Sequence, residues 1–142
     1  MTITFFGHRD APDAVEQRLE RVLIEWIERR GARLFYVGNQ GAFDAMAAKV
    51  LHRLGNRYPE IRCFTVLAYL PHSDEEYVLE TVFPEGLETA PRRYAIDRRN
   101  RWMVNQADAV IVYVKHSAGG AASFRDLALR KQKTVINLAD GT

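Results

Sequence analysis

The sequence predicts an α/β fold, a three-layer sandwich in which helices cover both faces of a five-stranded, mainly parallel sheet. Three observations carry that prediction. The run Ala109 to Val114 is unbroken, apolar and rich in β-branched residues, as suits a strand buried on both faces. Strand-like and helix-like patterns alternate along the chain rather than segregating. Glycines fall where strands should stop: Gly7, Gly38 and the pair Gly119-Gly120.

The bulk properties narrow the class before any motif is read. A chain of 142 residues is expected to form one domain, 1–142, with a proper hydrophobic core. Its hydrophobic fraction of 47% and charged fraction of 27% are those of a soluble globular protein. A formal charge of +2 is too small for bulk attraction to polyanions, so neither nucleic acid nor a membrane surface is an expected partner. Cys63 is the sole cysteine, which excludes an internal disulfide and paired-thiol metal sites. No apolar stretch reaches membrane-spanning length and no leader pattern opens the chain, so a cytoplasmic address is expected.

In chain order, residues 2–6 (Thr-Ile-Thr-Phe-Phe) predict a first strand, stopped by Gly7-His8-Arg9-Asp10. Pro12 suits the first turn of a helix whose apolar face is Val15, Leu19, Val22, Leu23, Trp26 and Ile27, closed by Gly31. Residues 33–37 predict a second strand, ending on Gly38-Asn39-Gln40-Gly41, then a small-residue helix over about 42–56. Residues 62–70 predict a third strand. Between 71 and 91 the pattern degrades into an acidic stretch at 74–76 and a Pro84-Glu85-Gly86 turn, with a short strand or helix near 77–83. Pro91 opens a basic helix to about 106, followed by the central strand. A helix over 121–131 and a strand over 134–138 complete the order.

Right-handed crossovers arrange these strands as 3-2-1-4-5, a Rossmann-like sheet. Ligands in such sheets bind beyond the carboxyl ends of the strands, where the winding reverses. That brings together the loops at 7–10, 38–44 and 115–123. Gly119-Gly120 is either a tight strand-to-helix turn or a phosphate cradle, with unobstructed amides at Ala121 and with Ser117 and Ser123 as further donors. Gly38, Asn39, Gln40 and Gly41 allow close backbone approach and offer amide groups to a sugar or base, but form neither a Walker A loop nor a G-x-G-x-x-G fingerprint. His8-Arg9-Asp10 reads as an acid/base pair with an anion-binding arginine, or as a helix cap with a local histidine bond. His8, His52, His72 and His116 lack metal-ligand spacing, so no metal and no cofactor is expected. The basic helix is a solvated face, an interaction surface, or a scaffold for an inward arginine. Arg92 and Arg99 share a face and are the candidates. Trp26 and Trp102 suit either core or the interface of a homodimer.

These residues resemble the SLOG superfamily, the Rossmann-like group that includes the LOG phosphoribohydrolases and the DNA-processing protein DprA. Gly7-His8-Arg9 and the length look most like its YpsA-like branch. The phosphoribohydrolase motif Pro-Gly-Gly-x-Gly-Thr-x-x-Glu is similar to 118–126, with Ala118 for proline, Ala122 for the third glycine, Ser123 for threonine and Asp126 for glutamate. The family's arginine is matched by Arg99, ahead of Met103 and Ala107-Asp108. The resemblance implies a binding domain for a small, phosphorylated, nucleotide-like ligand, with a sensing or regulatory output. It also implies an alternative, hydrolysis of a nucleoside monophosphate with Arg99 and Asp126 as the catalytic pair. Asp126 is one methylene shorter than glutamate, and misplacement on that scale costs about 100-fold in rate, which favours binding over catalysis. A third alternative is an interaction protein whose pocket is vestigial.

Overall fold

The computed structural model of the chain describes residues 1–71 and 75–140; His72 and Asp74 lie outside the described residues. The elements are β1 (Thr2–Gly7), α1 (Val15–Arg29), β2 (Leu34–Val37), α2 (Gly41–Arg57), β3 (Arg62–Val66) and β4 (Glu80–Val82). Two 3-10 turns (Leu87–Thr89 and Arg92–Tyr94) lead to α3 (Ala95–Gln106), β5 (Ala109–Tyr113), α4 (Gly120–Arg130) and β6 (Thr134–Asn137).

All strands run parallel in one sheet, ordered β4-β3-β2-β1-β5-β6. The side-chain period of two explains why the central strands are apolar throughout. On β5, Ala109, Ile111 and Tyr113 join Ile3, Phe5 and Phe35 in a core under α1 and α2. Val110 and Val112 face the other way, with Phe6 of β1, onto Met103 from α3 and Phe124 and Leu127 from α4. Ile3, Phe5 and Ile111 are wholly buried, and each contributes about 1.5–3 kcal/mol by leaving water. Trp26 belongs to the first core, whereas Trp102 is half-buried with its ring 5.0 Å from Tyr36. Among the described residues, no helix is long and apolar enough to cross a membrane.

Among the described residues the sheet has six strands rather than the five predicted. The extra strand, β4, pairs with β3 through Phe64 and Glu80, Thr65 and Thr81, Val66 and Val82. Only three residues long and with Glu80 and Thr81 exposed, it carries too little apolar periodicity to stand out. Pairing to the edge of β3, rather than a hydrophobic run, makes it a strand. β3 itself stops at Val66 rather than at 70. The segment before α3 is a 3-10 turn, so the helix starts at Ala95 and not at Pro91.

Candidate functional site

The winding reverses between β1 and β5, and their register sets Gly7 beside Tyr113. The loops after both strands therefore start level. They are tied together by His8, whose Nε2 accepts the Lys115 N–H at 2.8 Å and lies 3.4 Å from the His116 N. The two imidazoles pack 4.8 Å apart. Burial holds His8 below its ordinary pKa, His116 pushes the same way and Asp10 opposes them.

The loop after β2 is locked against the first. Gly41 has φ +90°, and a Cβ there would meet the Arg9 Cα at 2.7 Å. The Ala42 N–H donates to the Arg9 carbonyl at 2.8 Å, and Arg9 Nη2 donates to Gln40 Oε1 at 2.9 Å. Gly7 is enclosed as well, since a Cβ on it would fall 2.2 Å from the Phe43 ring at the start of α2.

The turn into α4 is different. Gly119 adopts φ 101°, ψ 174°, a region open essentially to glycine alone. Nothing lies within 4 Å of a Cβ placed on Gly119 or on Gly120. The Ser123 N–H closes onto the Gly119 carbonyl at 3.1 Å, while no backbone carbonyl of a described residue accepts from Gly120, Ala121 or Ala122. Those orphan amides carry the positive end of the helix dipole. Gly119, Gly120 and Ala121 form one wall of a cavity of about 390 Å³, and Gly7, His8, Arg9 and Gln40 form the facing rim.

Arg99, 1% exposed, enters this cavity from α3. Its Nη1 donates to Asn39 Oδ1 at 2.9 Å and to the Val66 carbonyl at 3.0 Å, and its Nε to Asn100 Oδ1 at 2.7 Å. Nη2 has no protein partner among the described residues, yet none of their buried side-chain polar atoms is sealed away unbonded. It therefore faces the cavity. Burial lowers the Arg99 pKa, opposed by Asp44 and Tyr69. A guanidinium with so high a starting value remains charged.

The predicted site residues thus divide. Gly7, His8, Arg9, Gln40, Gly119, Gly120, Ala121 and Arg99 line the cavity. Gly38, Asn39 and Gly41 stand behind the rim: Asn39 holds Arg99, and a Cβ on Gly38 would sit 2.9 Å from Asp44 Oδ2 and 3.2 Å from Arg99 Cζ. Ser117 and Ser123 are exposed and do not line it. Arg92 does not accompany Arg99, because it lies in the 3-10 turn before α3, exposed, with its guanidinium 4.4 Å from the Tyr69 ring. Asp126 is also outside the cavity. Shorter than the glutamate of the motif, it pairs with Arg125 at 3.0 Å instead.

Two carboxylates line the cavity: the exposed Asp10 of the first loop and Asp44, for which the sequence gives no motif. Asp44 is 8% exposed, and its Oδ2 accepts the Gln40 N–H at 2.9 Å. Desolvation raises its pKa to about 6, against the Gln40 bond and Arg99, which lower it. One signal was available: Asp44 is an acidic residue on the apolar side of α2, next to Phe43 and within a turn of Ala47. Among the described residues, no group of three or more His, Cys, Asp and Glu side chains gathers to hold a metal.

No family model matches the chain, and no curated protein does. Solved structures share its fold, two DNA processing proteins among them. DNA processing protein A (DprA) from Streptococcus pneumoniae superposes with a TM-score of 0.70 at 16% identity, covering 94% of this chain and 48% of that one. DNA processing protein A from Helicobacter pylori, in a study of its single-stranded DNA binding mode, gives 0.67 at 17% identity, covering 95% and 63%. The chain spans about half of the first and under two thirds of the second. At this identity the likeness shows the Rossmann-like α/β fold. It also corrects the exclusion of nucleic acid as a partner: a protein of this fold binds single-stranded DNA, and a net charge near zero does not bear on local recognition by amides.

Proposed function

We propose that the chain is a binding domain for the phosphate of a nucleotide-type ligand, with a sensing or regulatory output. The observation that carries this is the open N-terminus of α4, whose unpaired amides share a cavity with the unpartnered Nη2 of Arg99. Backbone N–H groups at a helix start and a buried guanidinium are complementary to one anionic group. A cavity of about 390 Å³ is within the size range of small-molecule sites. The shared fold with DNA processing protein A supports a nucleotide unit as the occupant, and membership of the SLOG superfamily, in its YpsA-like branch, remains part of this reading. Hydrolysis of a nucleoside monophosphate has less support, because Asp126 stands outside the cavity.

A second reading, single-stranded nucleic acid as the ligand, is favoured by the Helicobacter pylori relative. The two differ in salt and length dependence. A mononucleotide-sized ligand saturates the site alone, whereas a strand binds more tightly with length and loses affinity steeply with salt. The test is a thermal-shift and titration panel of nucleotides, ADP-ribose, sugar phosphates and DNA and RNA oligomers, with mass spectrometry of whatever leaves the denatured protein. Binding to the native state raises Tm. No shift with any member, and no released phosphorylated compound, overturns the proposal.

A further inference from the structure

The cavity places the open α4 amides and a buried carboxylate, Asp44, in one small space, with the exposed Asp10 at its mouth, and amides and carboxylate make opposite demands on a ligand. Oδ2 of Asp44 is used by the fold: it reaches back to the N–H of the residue preceding α2, as acidic side chains early in helices do. Oδ1 has no partner among the described residues, and since none of their buried side-chain polar atoms is sealed away unbonded, it opens on the cavity that Asp44 lines. Arg99 does not absorb it, because its Nη1 and Nε are committed to Asn39, Val66 and Asn100, and no ion pair joins the two side chains. A buried carboxylate is costly, and an asparagine would satisfy Gln40 at lower cost. The free oxygen is what asparagine would not supply as a charged acceptor.

We infer that Asp44 accepts a hydroxyl of the sugar whose phosphate rests on the α4 amides, so that the site selects ribosyl over deoxyribosyl ligands. This rests on the phosphate reading above and adds the sugar to it. A neutral hydroxyl suits the position better than an ammonium group, which Arg99 on the same floor repels. It also suits it better than a base: Phe6 already stacks on Phe124 at 5.3 Å, and Ile96 and Met103 offer no ring face. A hydrogen bond to a charged, desolvated acceptor discriminates strongly, because the analogue lacking the hydroxyl leaves it unpaired.

The experiment compares inorganic pyrophosphate, the common ribonucleoside 5′-monophosphates and their 2′,3′-dideoxy forms by titration calorimetry at pH 7.5. The expected result is that the best ribonucleotide binds roughly 10- to 100-fold more tightly than its dideoxy form. That ratio should fall toward one in Asp44→Asn, which keeps the acceptor for Gln40, and in the unaltered protein at pH 5, while pyrophosphate binding persists in both. Equal affinity for the two forms, with pyrophosphate bound, overturns the inference and leaves the phosphate site standing. Tighter binding of a DNA oligomer than of the matching RNA overturns it as well. If neither pyrophosphate nor any nucleotide binds, the phosphate reading falls and takes this one with it.

Discussion

Two sets of glycines lie on opposite sides of the cavity, one in and behind its rim and one in its far wall, and they are glycines for opposite reasons. In the loops after β1 and β2, the space a side chain would need is filled: by Phe43 against Gly7, by Asp44 and Arg99 against Gly38, by Arg9 against Gly41. At the start of α4 the space beside Gly119 and Gly120 is empty. The first set lets protein pack on protein. The second keeps a surface bare that the fold itself does not use. Glycine in a sequence signals close approach, but only the structure says by what.

Substitutions sharpen or break that contrast. The largest effect is expected at Gly7→Ala, where a methyl group would overlap the buried Phe43 ring and cost about 3 kcal/mol in chemical denaturation. A loss under about 0.5 kcal/mol would mean that the rim is looser than the contact implies. Gly41→Ala combines a left-handed backbone with a contact on the Arg9 Cα and should cost about 2 kcal/mol. Asp44→Asn should act in the opposite sense, and with pH. A carboxyl whose folded pKa of about 6 lies above its ordinary 3.8 binds its proton more tightly in the native state, so its ionisation subtracts stability as pH rises from about 4 through about 6. The asparagine variant should match the parent near pH 4 and exceed it by about 1–2 kcal/mol at pH 7.5, once the weaker bond to Gln40 is allowed for. An unchanged difference across that range would show that Asp44 titrates normally. The smallest stability change is expected for Gly120→Asp. Its backbone is not left-handed, its surroundings are open and an acidic residue suits a helix start, so Tm should hold while pyrophosphate binding is lost. Retained binding in that variant would separate the α4 amides from the ligand.

How much was legible beforehand follows the same division. The apolar run of β5 and the 3.6-residue pattern of α1 declare themselves, because both bury side chains by local periodicity. The meeting of the three loops followed from topology alone. β4 did not show, since three residues at a sheet edge owe their state to the neighbouring strand. A helix opened by Pro91 would make Arg92 and Arg99 equivalent; the 3-10 turn at Arg92–Tyr94 takes the first off the helix and leaves the second on it. Asp44 does not stand out because one charge within a small-residue helix resembles a solvated position until packing shows it buried beside Phe43.

The bond from His8 to the Lys115 amide has a consequence for acid conditions. An imidazole accepting at Nε2 holds its hydrogen on Nδ1, and a second proton would set donor against donor at that clasp. Because the folded ring resists that proton, the clasp is whole above the ordinary histidine pKa of 6.5 and is given up as pH falls below it through the lower folded value. Mild acid should therefore unfasten Lys115 and His116 from the loop after β1 before it disturbs the sheet, a local release visible as faster amide exchange at Lys115.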